Sequence, residues 1–335
     1  MKRQIKRLRD ELLAPLAPWA WRRRPAPRLL VLMYHRVLPA SHPDRSIEQP
    51  GMYVSPETLD MHLTVLRRHF PLVHLDDWLR TAAGKESLPP QACALTFDDG
   101  WRDNFEYAFP VLRRHGAPAT IFLVSGMTGT NKVFWPNRLA RVLAGLRPQE
   151  RLSEPLESVL APVIGSVRER GSWRIEDLDR AIVLAKELED FGIDRALDEA
   201  EARLSGFAAL RAVLDADEVR SMASSGLVRF GSHTQSHYRL RGVVPESILE
   251  REVVGSGVEI GGTTGRPADL FCYPNGDLTP AAVAVVRQHY LGAVTTKKGW
   301  FVAGADPFLI PRIGVHEDIS SRPSALLARD RKSVV

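Results

Sequence analysis

Short apolar runs alternate along this chain with stretches in which apolar residues recur every three or four positions. The runs Leu29–Tyr34, Ala92–Phe97, Ala119–Val124, Leu227–Phe230, Leu270–Tyr273, Gly292–Thr295 and Leu309–Val315 predict strands. Between them, Ser55 caps and Pro56 opens a helix carrying Leu59, Leu63 and Leu66 at helical spacing. A second helix is expected after Gly100, ending near Gly116. Asp215 followed by Glu218 is a capping-box variant before a helix that stops at Gly226. Thr279-Pro280 starts another that runs through Tyr290 and is terminated by Gly292. This alternation predicts an α/β protein, a parallel sheet with helices outside it. From about Asn131 to Leu214 the pattern changes: Leu, Ala, Glu and Arg recur at helical period with almost no strand signal. That stretch reads as a helical insertion between two strands, either one wall of a substrate cleft or an ordinary structural excursion.

Composition narrows the class. At 335 residues, 44% hydrophobic and 25% charged, the chain has the balance of a globular protein able to bury a large core. The net charge of +5 is concentrated at the front, in Lys2, Arg3, Lys6, Arg7, Arg9 and Arg22 to Arg24. The remainder is nearly balanced, so no nucleic-acid groove is expected. The basic front is either a solvated tail or a membrane-surface anchor. No apolar run reaches the ~18 residues needed to cross a bilayer. The segment Leu12 to Ala20 is broken by Pro15 and Pro18 and does not read as a secretory signal. Cys93 and Cys272 both lie in apolar strand-like runs; buried thiols in a reducing compartment and a disulfide are both open. The expected location is cytoplasmic, with peripheral contact at the inner membrane face through the basic N-terminus.

Two segments carry chemistry. In Ala94-Leu95-Thr96-Phe97-Asp98-Asp99-Gly100, an apolar strand delivers two adjacent carboxylates and then a glycine that lets the backbone turn. Strand ends of this kind are where α/β proteins bind ligands, and keeping two neighbouring carboxylates ionised favours a nearby cation. Asp-Asp-Gly alone is equally a turn sequence. The second segment, Val228 to His237, is another strand running into a loop with His233 and His237 four residues apart. Two histidines and one carboxylate with an open position form a catalytic zinc-like set. His42, His62, His69, His74, His115 and His289 lack such spacing and read as ordinary. Trp135, Asn137 and Arg138, where the insertion begins, either line the cleft or pack.

Thr96-Phe97-Asp98-Asp99-Gly100 and His233-Thr234-Gln235-Ser236-His237 resemble the first two motifs of the polysaccharide deacetylases. The resemblance extends through Trp101-Arg102-Asp103-Asn104 to Pro118-Ala119-Thr120-Ile121-Phe122, and to Phe271-Cys272-Tyr273-Pro274-Asn275-Gly276. It covers roughly Leu29–Ser125 and Asp215–Val315. The family implies a distorted (β/α) barrel of about seven strands, with Asp98 as general base and Asp99, His233 and His237 as metal ligands. The third-motif loop, Tyr273 and Asn275, would bind substrate and lend a backbone N–H to the oxyanion. Many members carry an arginine in the third motif, where this chain has Phe271 or Cys272. The last motif is only partly matched, by Gly314-Val315-His316. The permuted poly-N-acetylglucosamine deacetylases resemble the chain more closely: their acid histidine lies in an N-terminal Tyr-His motif, matched by Tyr34-His35. His35 is therefore the expected acid, with His316 in reserve, and it is expected to face Asp98 across the scissile amide.

The organisation that follows is a basic tail over 1–27, a catalytic barrel over 28–130 and 215–320, the helical insertion over 131–214, and a C-terminal tail over 321–335. The expected activity is metal-dependent removal of N-acetyl groups from an amino sugar. By ligand type the metal is zinc, with cobalt or nickel fitting the same set. An O-acetyl esterase or non-sugar amide hydrolase would use the same constellation, and a non-catalytic carbohydrate-binding relative would not need Asp98.

Overall fold

The computed structural model describes residues 11, 27–84, 86–147, 150–203 and 211–329. The basic front and its two readings lie outside the described residues. The described residues fall into two compact units: those within 1–39, 51–130 and 213–335 make one, and those within 40–50 and 131–212 the other.

All seven expected strands form in the first unit. They are β1 (Arg28–Tyr34), β2 (Gln91–Phe97), β3 (Ala119–Leu123), β4 (Val228–Ser232), β5 (Leu270–Cys272), β6 (Gly292–Val294) and β7 (Ile313–Gly314). Their order in the sheet is β7-β1-β2-β3-β4-β5-β6, every neighbouring pair parallel. The far edge returns to the start where Val294 of β6 pairs with Ile310, just ahead of β7. The result is the distorted barrel. Its last strand is shorter than the pattern predicts because Pro311 has no N–H to donate and Arg312 N donates to Lys297 O instead of to a neighbouring strand.

Alternate strand residues face opposite layers. Leu29, Val31, Ala92, Ala94, Phe122, Leu270, Cys272 and Val294 face inward, closed off by Leu75, Trp78 and Leu79 of the helix Leu75–Ala83. Leu30, Leu32, Tyr34, Leu95, Ile121 and Phe271 face the outer helices. The predicted caps are present: Ser55 Oγ accepts from Thr58 N at 3.1 Å, and Asp215 and Glu218 form a reciprocal capping box. The helix Leu75–Ala83 and the helical run from Glu246 to Thr264 were not expected from the pattern. In the second of these, glycines at 255, 257, 261 and 262 each weaken helix propensity by about 1 kcal/mol and dilute the apolar period. Gly257 is required there, since a Cβ would stand 2.7 Å from the Tyr290 hydroxyl.

The segment expected to be a C-terminal tail is corrected: Pro323–Ala328 is a helix with Ala325 and Leu326 buried in the main core. Buried apolar residues outweigh the entropy of ordering that turn. Among the described residues the second unit holds four α-helices, Trp135–Gly145, Leu156–Arg170, Ile175–Ala185 and Asp190–Glu201, around its own core of Leu139, Leu143, Leu160, Ile164, Ile182 and Leu197. Residues 40–50, assigned to the barrel on sequence, join this unit through Glu48, which accepts from Asn137 Nδ2 at 2.8 Å.

One buried titratable group links fold to pH. His62 has no exposed surface; its Nε2 lies 2.8 Å from the Ser320 carbonyl and its Nδ1 3.0 Å from the Tyr34 hydroxyl. A carbonyl can only accept, so the proton is on Nε2 and Nδ1 accepts from Tyr34. Burial pushes the imidazole down to about 4 from the ordinary 6.5. Between those values the unfolded chain takes up a proton that the folded protein refuses. Stability is therefore complete above the upper value, falls as pH drops, and levels off below the lower one. A gap of that size corresponds to about 3 kcal/mol. Urea unfolding of His62→Gln is expected to lose roughly that much of the fall in stability between these pH values; an unchanged fall would assign it to other groups.

Candidate active site

Three electron-rich side chains converge at the C-terminal end of the barrel. Asp99 follows β2 with φ +74°, and Gly100 continues the turn at φ +70°, where a Cβ would stand 2.6 Å from Leu123 Cδ2. The turn is pinned from its far side, with Leu214 N donating to Gly100 O at 2.9 Å. His233 follows β4, and its Nδ1 donates to the Cys272 carbonyl at 2.8 Å, which turns Nε2 toward Asp99 as the nitrogen a metal would take in place of its proton. That Nε2 is 3.5 Å from Asp99 Oδ1, and the Nε2 of His237 is 3.6 Å from the same oxygen. The other Asp99 oxygen accepts from Trp101 Nε1 at 2.9 Å. One carboxylate oxygen and two imidazole nitrogens thus share a point, with Asp99 oriented by Trp101 and His233 by the Cys272 carbonyl on their opposite sides. This donor set fits a divalent cation. Burial alone would raise Asp99, but the His233 hydrogen bond and the neighbouring imidazoles outweigh it and hold the carboxyl well below the usual range.

Asp98 points into the barrel, where Arg312 grips it: Nη1 donates to Oδ1 at 2.7 Å and Nη2 to Oδ2 at 2.8 Å. Arg312 is itself fixed, donating from Nη1 to Thr96 Oγ1 at 3.0 Å, from Nε to Thr295 O at 3.0 Å and from Nη2 to Cys272 Sγ at 3.2 Å. Burial would raise Asp98, and the Arg312 charge and hydrogen bonds reverse that, leaving it lowered. Asp98, His233 and Cys272 also lie close enough to hold a metal. The guanidinium already supplies the positive charge there, so this second group is not a competing cation site. Arg312 is the residue sequence reasoning missed. Its signal was a cation inside the apolar run Leu309–Val315, in a chain whose third motif lacks the arginine of its relatives.

His35 follows β1, with Nε2 3.8 Å from Asp98 Oδ2. That corrects one expectation: no amide fits between the two, so they do not face each other across it. The segment Trp101 to Asn104 bolts the His35 loop to the Asp99 loop. Asn104 Nδ2 donates to His35 O at 2.9 Å; Asp103 accepts from Arg36 Nε and Val37 N at 2.9 and 2.8 Å. The Arg36 guanidinium lies 4.3 Å over the Trp101 ring.

His316 has its Nδ1 on the Asp318 carboxylate, and burial holds its imidazole below the ordinary range. Tyr273 is corrected as a substrate contact. Cys272 faces inward, so strand alternation turns Tyr273 outward beside Phe271, at 5.2 Å, with its hydroxyl buried and unpartnered. Asn275 lies on the exposed turn after β5 at φ +58°, its side chain donating to Asp277 Oδ2 at 3.1 Å. In the helical unit, Asn137 bonds Glu48, and Arg138 pairs with Asp194, Asp198 and Glu201. Both therefore serve that unit's own packing, with Trp135 against its core. Cys93 and Cys272 are both buried free thiols. Among the described residues no helix is long and apolar enough to cross a membrane.

Residues 85–154 and 191–294, just over half of the chain, match the polysaccharide deacetylase domain. With the fold and the converging acidic and histidine side chains, this places the chain in the polysaccharide deacetylase family. YxkH of Bacillus subtilis, provisionally named a polysaccharide deacetylase, is 26% identical over 180 residues, covering 46% of this chain and 57% of that relative. The match thus spans little more than half of the curated relative's length. Among solved structures, the Streptococcus pyogenes deacetylase PplD, in complex with acetate, superposes with a TM-score of 0.60 at 18% identity, over 91% of this chain and 99% of that one. A de-N-acetylase from Aggregatibacter actinomycetemcomitans gives 0.55 at 18% identity, over 86% and 95%. At these identities the likeness is one of fold.

The Asp98–Arg312 pair generates a stability prediction. Arg312→Met leaves Asp98 buried without its counter-charge and is expected to cost about 3–5 kcal/mol. Adding Asp98→Asn removes that stranded charge and should recover most of the loss. Denaturant unfolding of the two single variants and the double measures the coupling; simple additivity would show that the pair does not act as a unit.

Proposed function

We propose that this protein is a divalent-metal-dependent hydrolase that removes acetyl groups from the nitrogen of an amino sugar. The observation that carries the proposal is the meeting of Asp99 Oδ1 with the Nε2 atoms of His233 and His237 beside an Arg312-clamped Asp98. A binding module has no use for the last of these. Family membership supports deacetylation of carbohydrate, and the fold shared with a named de-N-acetylase favours nitrogen over oxygen as the acetylated atom.

Asp99, His233 and His237 would hold the metal, zinc by ligand type, with cobalt or nickel also suited. A bound divalent ion would supply Lewis-acid polarisation of the acetyl carbonyl and a more acidic water. Asp98 then accepts the proton of the attacking water at a carboxylate oxygen; Arg312 fixes its plane and keeps it ionised until that moment. A backbone N–H in the turn at Asn275 is the proposed oxyanion donor. His35 gives its Nε2 proton to the departing amine. We prefer it to His316, whose lowered imidazole, with its Nδ1 proton on Asp318, is neutral near pH 7 and has no Nε2 proton to give.

Protein purified without chelator is expected to carry one divalent metal, and His233→Ala and His237→Ala are expected to lose it. Chelation should abolish acetate release from N-acetylated sugars, and added Zn²⁺ or Co²⁺ should restore it. Release only from O-acetylated sugars would make the protein an esterase.

The acid assignment has its own test. Asp98→Asn and His35→Ala should both retain metal, and His35→Ala should slow acetamide hydrolysis by about 10²–10⁴-fold. An activated acetyl ester has a good leaving group and should be spared by His35→Ala. Equal loss on both substrates would reject His35, and a selective loss in His316→Ala instead would move the role there.

A further inference from the structure

Glu252 has no exposed surface, yet it stands on an outer helix and belongs to none of the family motifs. It sits in a π-helical turn, Glu250–Gly255, set between Glu246–Leu249 and Ser256–Thr264. Such a turn inserts an extra residue and re-aims the side chains beside it. Here the carboxylate is aimed at the loop after β4. Its Oε2 accepts from Ser236 N at 2.8 Å and its Oε1 from Ser236 Oγ at 2.9 Å. Arg251, half exposed, donates to Oε1 from Nη2 at 3.1 Å and from Nε at 3.3 Å.

Ser236 immediately precedes His237, whose backbone is left-handed at φ +62°, as is that of Thr234 at φ +64°. A residue with a Cβ pays roughly 1–3 kcal/mol to stay in that region and does so only where its surroundings over-determine it. The surroundings here are two sets of hydrogen bonds. Glu252 holds the N-terminal side of His237 through both donors of Ser236. Thr234 Oγ1 holds the C-terminal side by accepting from Tyr238 N at 3.0 Å. His233 needs no such clamp: it follows a regular strand, and Cys272 O fixes its ring.

We propose that Glu252 is a positioning residue for the metal centre, acting through Ser236 to keep His237 in its strained, ligating conformation. This rests on the reading above that His237 is a metal ligand. The carboxylate touches neither the metal ligands' ring atoms nor Asp98. Its contribution is to make His237 available without a conformational cost at the moment the metal binds.

The test is the affinity of the purified protein for Zn²⁺ and Co²⁺, measured by competition with a chromophoric chelator. Glu252→Gln keeps the shape and one acceptor but loses the charge and the second acceptor. It is expected to weaken metal binding about 10- to 100-fold, the range of partners behind a ligand. Ser236→Ala removes only the hydroxyl arm and should give a smaller loss, which serves if Glu252→Gln does not fold. In a His237→Ala background the Glu252→Gln substitution should change affinity no further, because the side chain it positions is gone. Equal weakening by Glu252→Gln with and without His237 would overturn the proposal and make Glu252 a general fold residue. So would unchanged affinity in both Glu252→Gln and Ser236→Ala. Unchanged affinity in His237→Ala itself would instead overturn the metal reading.

Discussion

A fully buried guanidinium facing a buried carboxylate is the constraint on which the upper half of the barrel depends. Removing both charges from water costs several kcal/mol for each ion, repaid only when geometry is near ideal and the remaining donors are used. Arg312 meets both conditions, with two parallel bonds to Asp98 and three further bonds to Thr96, Thr295 and Cys272. Those acceptors come from β2, from β5 and from the segment after β6, while Arg312 itself leads into β7. The ion pair therefore ties four parts of the barrel wall at the level where the chemistry is proposed.

Local backbone strain has the same distribution. Among the described residues, four that are not glycine adopt left-handed φ: Asp99, Thr234, His237 and Asn275. All lie on loops at the C-terminal ends of β2, β4 and β5, and two of them are candidate metal ligands. A regular strand could not bring two adjacent carboxylates to one site, since successive side chains would point to opposite faces. The turn at Asp99 solves this. Asp98 keeps its strand direction into the barrel and reaches Arg312, while Asp99 swings aside to meet the two imidazoles. Two π-helical turns among the described residues, Asn104–Ala108 and Glu250–Gly255, support loops at this end of the barrel, one through Asn104 on the His35 carbonyl and the other through Glu252 on Ser236.

Much of this was legible in the chain itself. Seven apolar runs and the caps at Ser55, Asp215 and Thr279 carry local information, and the structure places those elements where local chemistry puts them. Asp98, Asp99, His233, His237 and His35 could be singled out because strand ends present them, and the structure brings them together. Arg312 could not be, because its partner lies more than two hundred positions earlier and only the closing of the sheet joins them. Glu252 was hidden for a similar reason, inside a glycine-rich helix whose period was too diluted to assign. Tyr273 was misjudged because a motif names positions, whereas the pleat decides which of two neighbours faces the site.

The spacing of Asp98 and His35 then bears on how the proposed reaction is ordered. At 3.8 Å the two share one side of the site, so a substrate amide must approach both from the same direction. The proton that Asp98 accepts when water attacks and the proton that the leaving nitrogen needs are then handled within one hydrogen-bonding neighbourhood. Arg312 makes that workable, because it compensates Asp98 before water is deprotonated and remains as a buried positive charge once Asp98 is neutral. A protonated carboxyl beside a guanidinium is unfavourable, which drives the proton onward from Asp98 rather than letting it rest there. On the proposed reading, His35 gives its own Nε2 proton to the departing amine and then takes the one held by Asp98, 3.8 Å away. Clamping the base with an arginine thus has two effects of opposite sign: it lowers Asp98's affinity for the proton it must take, and it shortens the time that proton is held.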